Sequence, residues 1–314
     1  MDAVTGRPPI PAMTKQAERE CYYRLALEAA GHGETIEFGA WLGASSAYIA
    51  AAMRDSGTGR RAHVYDKFQS KPGHVRKVRE FYAKEGFSTD ALPVGDAYAH
   101  FLHNLGPLAD HVVAHRGEIG DAKWDGGGIA LIVNDAPKRV PAISAMLANF
   151  ASGIRPGTVM AWQDFCHFPS YEIPACLYRL RGRFEFVEAI VPGTTLVFRV
   201  TGKWSADEVT REALALANWT VAETDAAWSY WLDGRVPESL SALFRCGQAM
   251  FLCDIGRPRE AIERFAAVLA ADARHVAAKW RYLREARADF VQRYAPLFDL
   301  AGERGLFEAG GVPA

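Results

Sequence analysis

Carboxylates and amides recur just after short apolar runs along this chain. Glu37 lies beside Gly39 at the end of one run, and Asp66 ends Arg61-Ala-His-Val-Tyr-Asp66. Glu118 follows His111-Val-Val-Ala-His115, and Asp135 follows Ile129-Ala-Leu-Ile-Val133 by two residues. Gln163 and Asp164 come directly after Gly157-Thr-Val-Met-Ala-Trp162. If these runs are parallel strands, ligands bind outside their carboxyl ends. One acid there is ordinary, because loops are polar and Asp caps helices. A set at the same edge points to a site.

Each residue type suggests a task. In Glu37-x-Gly39-x-x-x-Gly43, Gly39 lets the backbone turn sharply and approach a ligand. Gly43 and Ala44 let the next helix pack close to the strand, and its first turn offers free N–H groups to a nucleotide-like cofactor. Asp66 would stand beside this turn, where a carboxylate can accept from two ribose hydroxyls. Glu118 could accept from an exocyclic amine or help close the pocket. Asp135 and Asp164 fall nearer the reacting end, as general base, metal ligands or both. His167 is a second candidate base, with an ordinary pKa near neutrality; it could equally be packed among Phe165, Phe168 and Tyr171. Lys138 could meet an anion or cap a loop. Trp41 could line a pocket or cover the sheet edge. The other histidines show no metal-ligand spacing, and His111 and His115 would share a strand face without obvious partners.

The elements that must position these residues alternate. Residues 15–30 read as a helix, with Tyr22, Leu25, Ala26 and Ala29 on one face. A strand then ends at Phe38, a helix runs through Ala52, and 61–66 is a second strand. Residues 72–86 read as helical and 98–105 as less regular. Strands follow at 111–115, 129–133 and 157–162, with a helix at 143–150. The run 129–133 is continuously apolar, as in a strand buried on both faces. Two β runs, 184–191 and 195–200, could form an antiparallel edge hairpin through Pro192-Gly193. The expected fold class is α/β, a doubly wound, mostly parallel sheet, followed by a small all-α region.

That all-α region begins after Lys203, so the expected domains are 1–203 and 204–314. Ser205 and Glu208 form a capping-box pattern. Residues 243–269 read as two helices broken at Gly256-Arg-Pro258. Gly256…Ala261…Phe265…Leu269…Asp272 is similar to the second half of a tetratricopeptide repeat. A single repeat cannot bury its own face, so neighbouring helices must complete it.

Composition narrows the function. A formal net charge of −1 argues against a nucleic-acid surface, which needs a basic excess. The basic cluster at 71–77 reads as a solvated helix face. The five cysteines include no CxxC pair, which suits free thiols in a reducing compartment. There is no apolar signal core at the N-terminus and no run long enough to span a bilayer, so the expectation is a soluble, cytoplasmic protein.

Over residues 15–200 the chain resembles a class I S-adenosylmethionine-dependent methyltransferase. Glu37-x-Gly39-x-x-x-Gly43 is similar to its first cofactor motif, Asp66 to its ribose-binding acid and Gly117-Glu118-Ile119 to its adenine-contacting segment. Ile154-Arg-Pro-Gly157 is similar to the usual approach to the fifth strand. Within that superfamily, Asp66-Lys-Phe-Gln69 resembles a segment of macrocin-type sugar O-methyltransferases. That likeness implies a Mg²⁺ site in which Asp135 and Asp164 match two of the acids, Gln163 stands where another acid is expected and Pro137 replaces one nearby. A Gln carbonyl binds Mg²⁺ more weakly than a carboxylate. The Asn/Asp-Pro-Pro-Tyr signature of base-modifying N-methyltransferases and the GxGxxG dinucleotide fingerprint are both absent.

The resemblance implies an O-methyltransferase that uses S-adenosylmethionine on a small hydroxylated acceptor, sugar-containing molecules included. Asp135, Asp164 and His167 would be its catalytic residues, and the C-terminal helices would close over the acceptor or mediate dimerisation. The alternative is a non-catalytic, methyltransferase-like scaffold whose helices bind a protein partner.

Overall fold

A computed structural model describes residues 1–69, 72–84, 97–203, 205–210 and 213–307, with only the backbone of 72–74, 77, 81 and 82. In chain order its elements are α1 (Gln16–Ala29), β1 (Glu34–Phe38), α2 (Ala44–Asp55), β2 (Ala62–Asp66), α3 (Pro72–Lys84), α4 (Tyr98–Leu105), β3 (Val112–Arg116), β4 (Ile129–Asn134), α5 (Val140–Asn149), β5 (Val159–Trp162), α6 (Glu172–Arg179), β6 (Phe184–Ala189) and β7 (Leu196–Val200). Helices α7 (Val221–Leu232), α8 (Glu238–Asp254), α9 (Pro258–Ala286), α10 (Ala288–Arg293) and α11 (Ala295–Glu303) follow.

The strands form one sheet of order β3-β2-β1-β4-β5-β7-β6 among the described residues. The pairs from β3 through β5 are parallel, whereas β7 runs antiparallel to both β5 and β6. The fold is therefore a doubly wound, mostly parallel sheet with helices, followed by further helices. Strand order reverses between β1 and β4, which makes their carboxyl ends the topological switch point. The final hairpin forms as expected, with β6 at the edge. Residues 98–105, expected to be less regular, are helical: the Gly43 turn packs on Phe101, so tertiary burial holds a short segment that propensity leaves open. Residues 85, 86 and 71, named in the helix and basic-cluster expectations, lie outside the described residues.

By internal packing the chain groups into two compact units. One comprises Met1–Gln163 with Gly182–Ala213; the other comprises Asp164–Arg181 with the described residues from Leu214 on. The expected cut at 203 thus runs through the first unit, and 164–181, between β5 and β6 in sequence, belongs with the later helices.

In the first unit, β4 is buried at every position. Helix α2 is buried from Ala44 to Met53, which explains its small residues. Glu18, 2% exposed, ties α1 to the β6–β7 turn. It accepts from Lys15 N at 2.8 Å, Thr194 N at 2.9 Å and Thr195 Oγ1 at 2.7 Å. Ser205 and Glu208 do exchange capping-box bonds, but around a single 3₁₀ turn, Asp207–Val209.

In the second unit, Trp280 packs on Phe265 and Phe298 with ring centroids 4.5 and 4.6 Å apart. Asp254 accepts a bidentate pair from Arg293 at 2.9 and 2.7 Å and also receives the Tyr171 hydroxyl. Helices α8 and α9 break where the Gly256-Arg-Pro258 signal places the break, and α9 kinks at Asp272. The five cysteines are free thiols. Among the described residues, no helix is long and apolar enough to cross a membrane.

Candidate functional site

Asp66 organises the carboxyl edge of β1 and β2. Its Oδ2 accepts the backbone N–H groups of Ala40 at 2.7 Å and Trp41 at 2.9 Å, and its Oδ1 accepts that of Phe68 at 2.5 Å. Both oxygens thus hold backbone around the glycine turn. The turn carries local strain, since Trp41 and Phe68 have φ of 48° and 51°, a region that favours glycine. Gly39 has φ of 90°, and its N–H donates to Tyr65 O at 2.9 Å. A Cβ on Gly39 would lie 2.9 Å from Ala136 Cβ and 3.0 Å from Asp135 C. The close approach made possible by Gly39 is therefore to the end of β4. Gly43, with φ of 90°, is the N-cap of α2, and a Cβ there would meet Phe101 at 3.0 Å. Its small size serves packing on α4, not on a strand as the sequence suggested.

Glu37 is fully buried. Its two oxygens accept the hydroxyls of Ser45 and Ser46 in the first turn of α2. Burial pushes its carboxyl up to about 8, against the pull of those two hydroxyls, and the charges of Asp135 and Asp66 add to the rise. Two carboxylates, Asp66 and Asp135, therefore stand with the buried, protonated Glu37 carboxyl at the carboxyl edge at and beside the switch point. Such a field favours a cation.

Asp135 N donates to Phe38 O at 2.8 Å, which locks the end of β4 to β1. The Asp135 carboxylate pairs with Lys138 Nζ at 3.2 Å, and the same ammonium lies 3.5 Å from Gln163 Oε1. Lys138, for which loop-capping was one reading, thus bridges two residues expected at a Mg²⁺ site. The donors do not fit that ion as arranged: an ammonium stands between Asp135 and Gln163. Among the described residues no group of three or more His, Cys, Asp or Glu could hold a metal. Asn134, one residue earlier, was not singled out by the sequence. It is 1% exposed, and its amide nitrogen and oxygen have no protein partner. A bound water or ligand group would satisfy it.

Glu118 is exposed and paired with Lys67 Nζ at 2.6 Å. It follows Gly117, whose N–H donates to Asp66 O at 3.0 Å, so its backbone is tied to the end of β2. Asp164 and His167 belong to the second unit. Asp164 has φ of 61°, and its Oδ2 lies 3.8 Å from His167 Nδ1. His167 Nδ1 also lies 3.4 Å from Ser170 Oγ. The imidazole is part-exposed, and its 3.8 Å separation from Asp164 is longer than a hydrogen bond.

The structure therefore gathers Glu37, Gly39, Gly43, Asp66, Asp135 and Gln163 around the ends of β1, β2, β4 and β5, and pairs Asp164 with His167 in one turn. A model of a methyltransferase domain matches residues 36–165. A comparison with curated proteins gave no match. Among solved structures the chain is similar to the O-methyltransferase NovP (15% identity, 61% of this chain and 83% of that one, TM-score 0.46). It is also similar to CalS11, a TDP-rhamnose 3'-O-methyltransferase of calicheamicin biosynthesis (18%, 58% and 76%, TM-score 0.39). A third is an SAH-bound methyltransferase of Podospora anserina (14%, 60% and 89%, TM-score 0.36). The match over residues 36–165 is to a methyltransferase domain.

Proposed function

We propose that the enzyme transfers the methyl group of S-adenosylmethionine to a hydroxyl of a small molecule, with sugar-containing acceptors as the first class to test. The observation that carries this reading is the grouping of Glu37, Asp66 and Asp135 at the strand ends, where burial lifts Glu37 to about 8 and the other two charges add to the rise. A sulfonium placed there relieves the repulsion, and the N-terminus of α2 supports the cofactor's anionic end. Asp66 would accept from the ribose hydroxyls and Glu118 would bound the adenine. Both the glycine turn and that ribose would then depend on the same carboxylate.

Methyl transfer is an in-line displacement at an already electrophilic carbon. The protein must orient the acceptor and remove its hydroxyl proton. His167 is the base in this reading, with Asp164 beside it. Asp135, held by Lys138, is an anchor for the acceptor hydroxyl. No step passes through Mg²⁺. Helices α8 and α9 are read here as a tetratricopeptide-like hairpin that binds a protein partner or a second copy, in a soluble cytoplasmic enzyme. The buried residues Ala261, Phe265 and Leu269 along one face of α9 support the hairpin.

The test is turnover with S-adenosylmethionine over a panel of hydroxylated acceptors, with methylated product read by mass. Cofactor binding without turnover on any acceptor would favour the scaffold alternative.

A further inference from the structure

The segment that follows β5 divides its side chains on a period of three. Phe165, Phe168 and Tyr171 are buried, at 1, 4 and 1% exposure. Among them, the side chains of Asp164 and His167 are 17 and 43% exposed. The segment closes in a 3₁₀ turn, Phe168–Ser170, a geometry that sets residues three apart on one side. One row is therefore an anchor, and the other presents a carboxylate and an imidazole.

Helix α8 receives the anchor row. Phe244, Gly247, Phe251 and Asp254 follow one another by three, four and three residues, which places them on one helix face. They meet the segment in order. Phe165 stacks on Phe244 with ring centroids 6.2 Å apart. A Cβ on Gly247 would lie 3.0 Å from Phe168 O and 3.4 Å from Tyr171 Cβ. Glycine weakens a helix interior, and this close approach explains its presence in α8. Tyr171 stands edge-on to Phe251 at 6.1 Å, and its hydroxyl donates to Asp254. Neighbouring helices complete the seat: Trp231 of α7 packs edge-on to Phe165 at 4.9 Å, and Trp280 of α9 stacks on Phe168 at 6.1 Å.

We propose that this face of α8 is a positioning element for methyl transfer, fixing residues 164–171 so that Asp164 and His167 are presented together. Gly247, Asp254 and Tyr171 are its positioning residues; they act through His167 and touch no substrate. The proposal rests on the reading of His167 as the base. A base works only within hydrogen-bond reach of the proton it removes, so its carrier must be held firmly. The later helices are then part of the enzyme and not an appendage. A partner that binds them must use another face, because this one is filled by the chain's own aromatic row.

The test uses the full chain. Tyr171→Phe keeps the ring, removes one hydroxyl and leaves Asp254 with Arg293. Gly247→Ala favours the helix but pushes on the Phe168 carbonyl. His167→Gln identifies the His167 ring resonance by its loss and serves as the reference without the base. In Tyr171→Phe and Gly247→Ala we expect unchanged calorimetric affinity for S-adenosylmethionine and a displaced His167 ring resonance. Amide exchange should be about tenfold faster, confined to residues 164–171. With the acceptor turned over best, kcat should fall about tenfold to a hundredfold while the acceptor KM holds. If either variant does not fold, Asp254→Asn makes the same comparison. Wild-type exchange and ring resonance in both variants overturn the proposal, as does exchange raised equally from α7 to α11, which marks a general loss of stability. Full turnover in His167→Gln refutes the base reading instead, so the two failures are told apart.

Discussion

Asp66 Oδ2 accepts the N–H of Trp41 at 2.9 Å, which clasps the end of β2 to the glycine turn after β1. In the sequence this acid reads as a ribose acceptor. In the structure it is first a backbone anchor, with Ala40 and Phe68 as its other donors. We predict that Asp66→Ala lowers both stability and cofactor affinity, the stability loss being about 1–3 kcal/mol for unsatisfied buried donors. Denaturant unfolding and calorimetry on the same preparation check this. Lost affinity with unchanged stability would leave Asp66 with a ribose role only.

Gly39→Ala should be destabilising, since φ is 90° and the new Cβ would meet Ala136. Strain of this kind amounts to about 1–3 kcal/mol before any clash. An unfolding midpoint equal to wild type would show that the β4 end can yield.

Glu37 makes stability depend on pH. Its folded pKa of about 8 lies above the ordinary 4.5 of a glutamate, so between those values the folded state binds more protons than the unfolded one. Its contribution is complete below pH 4.5 and is lost as pH rises through 8. Thermal midpoints from pH 5 to 8.5 should therefore contain a decline that Glu37→Gln flattens. An unchanged slope in the variant would remove Glu37 as its source.

Lys138 occupies the position between Asp135 and Gln163. We predict that turnover is unaffected by a divalent chelator. Loss of activity on chelation, restored by Mg²⁺, would mean that Lys138 leaves this position in the working enzyme.

Much of the framework was legible because its signals are local. The continuous apolar run of β4 and the helix pattern of α1 each carry their own period, and the strand-end acids follow from strand placement. What was missed depends on contacts distant in sequence. The hydrogen-bonded pair His63–His115 arises from neighbouring strands, its members 52 residues apart in the chain, so spacing along one strand gave no sign of it. The bridge from Lys138 to Gln163 likewise requires β4 and β5 to be adjacent. Asn134 was passed over because an amide inside an apolar strand end has no periodic signature. The grouping of 164–181 with the later helices rests on packing around Tyr171 and Asp254, which no linear change in composition reveals.

The most direct test of the central claim is calorimetric titration of the intact chain with S-adenosylmethionine and, separately, with its demethylated product, at pH 7 and pH 8.5. If the crowded carboxylates hold the sulfonium, S-adenosylmethionine binds, its binding releases a proton from Glu37, and its affinity rises with pH more than that of the uncharged thioether. Absence of binding at millimolar S-adenosylmethionine, or identical pH dependence for the two ligands, would contradict the account.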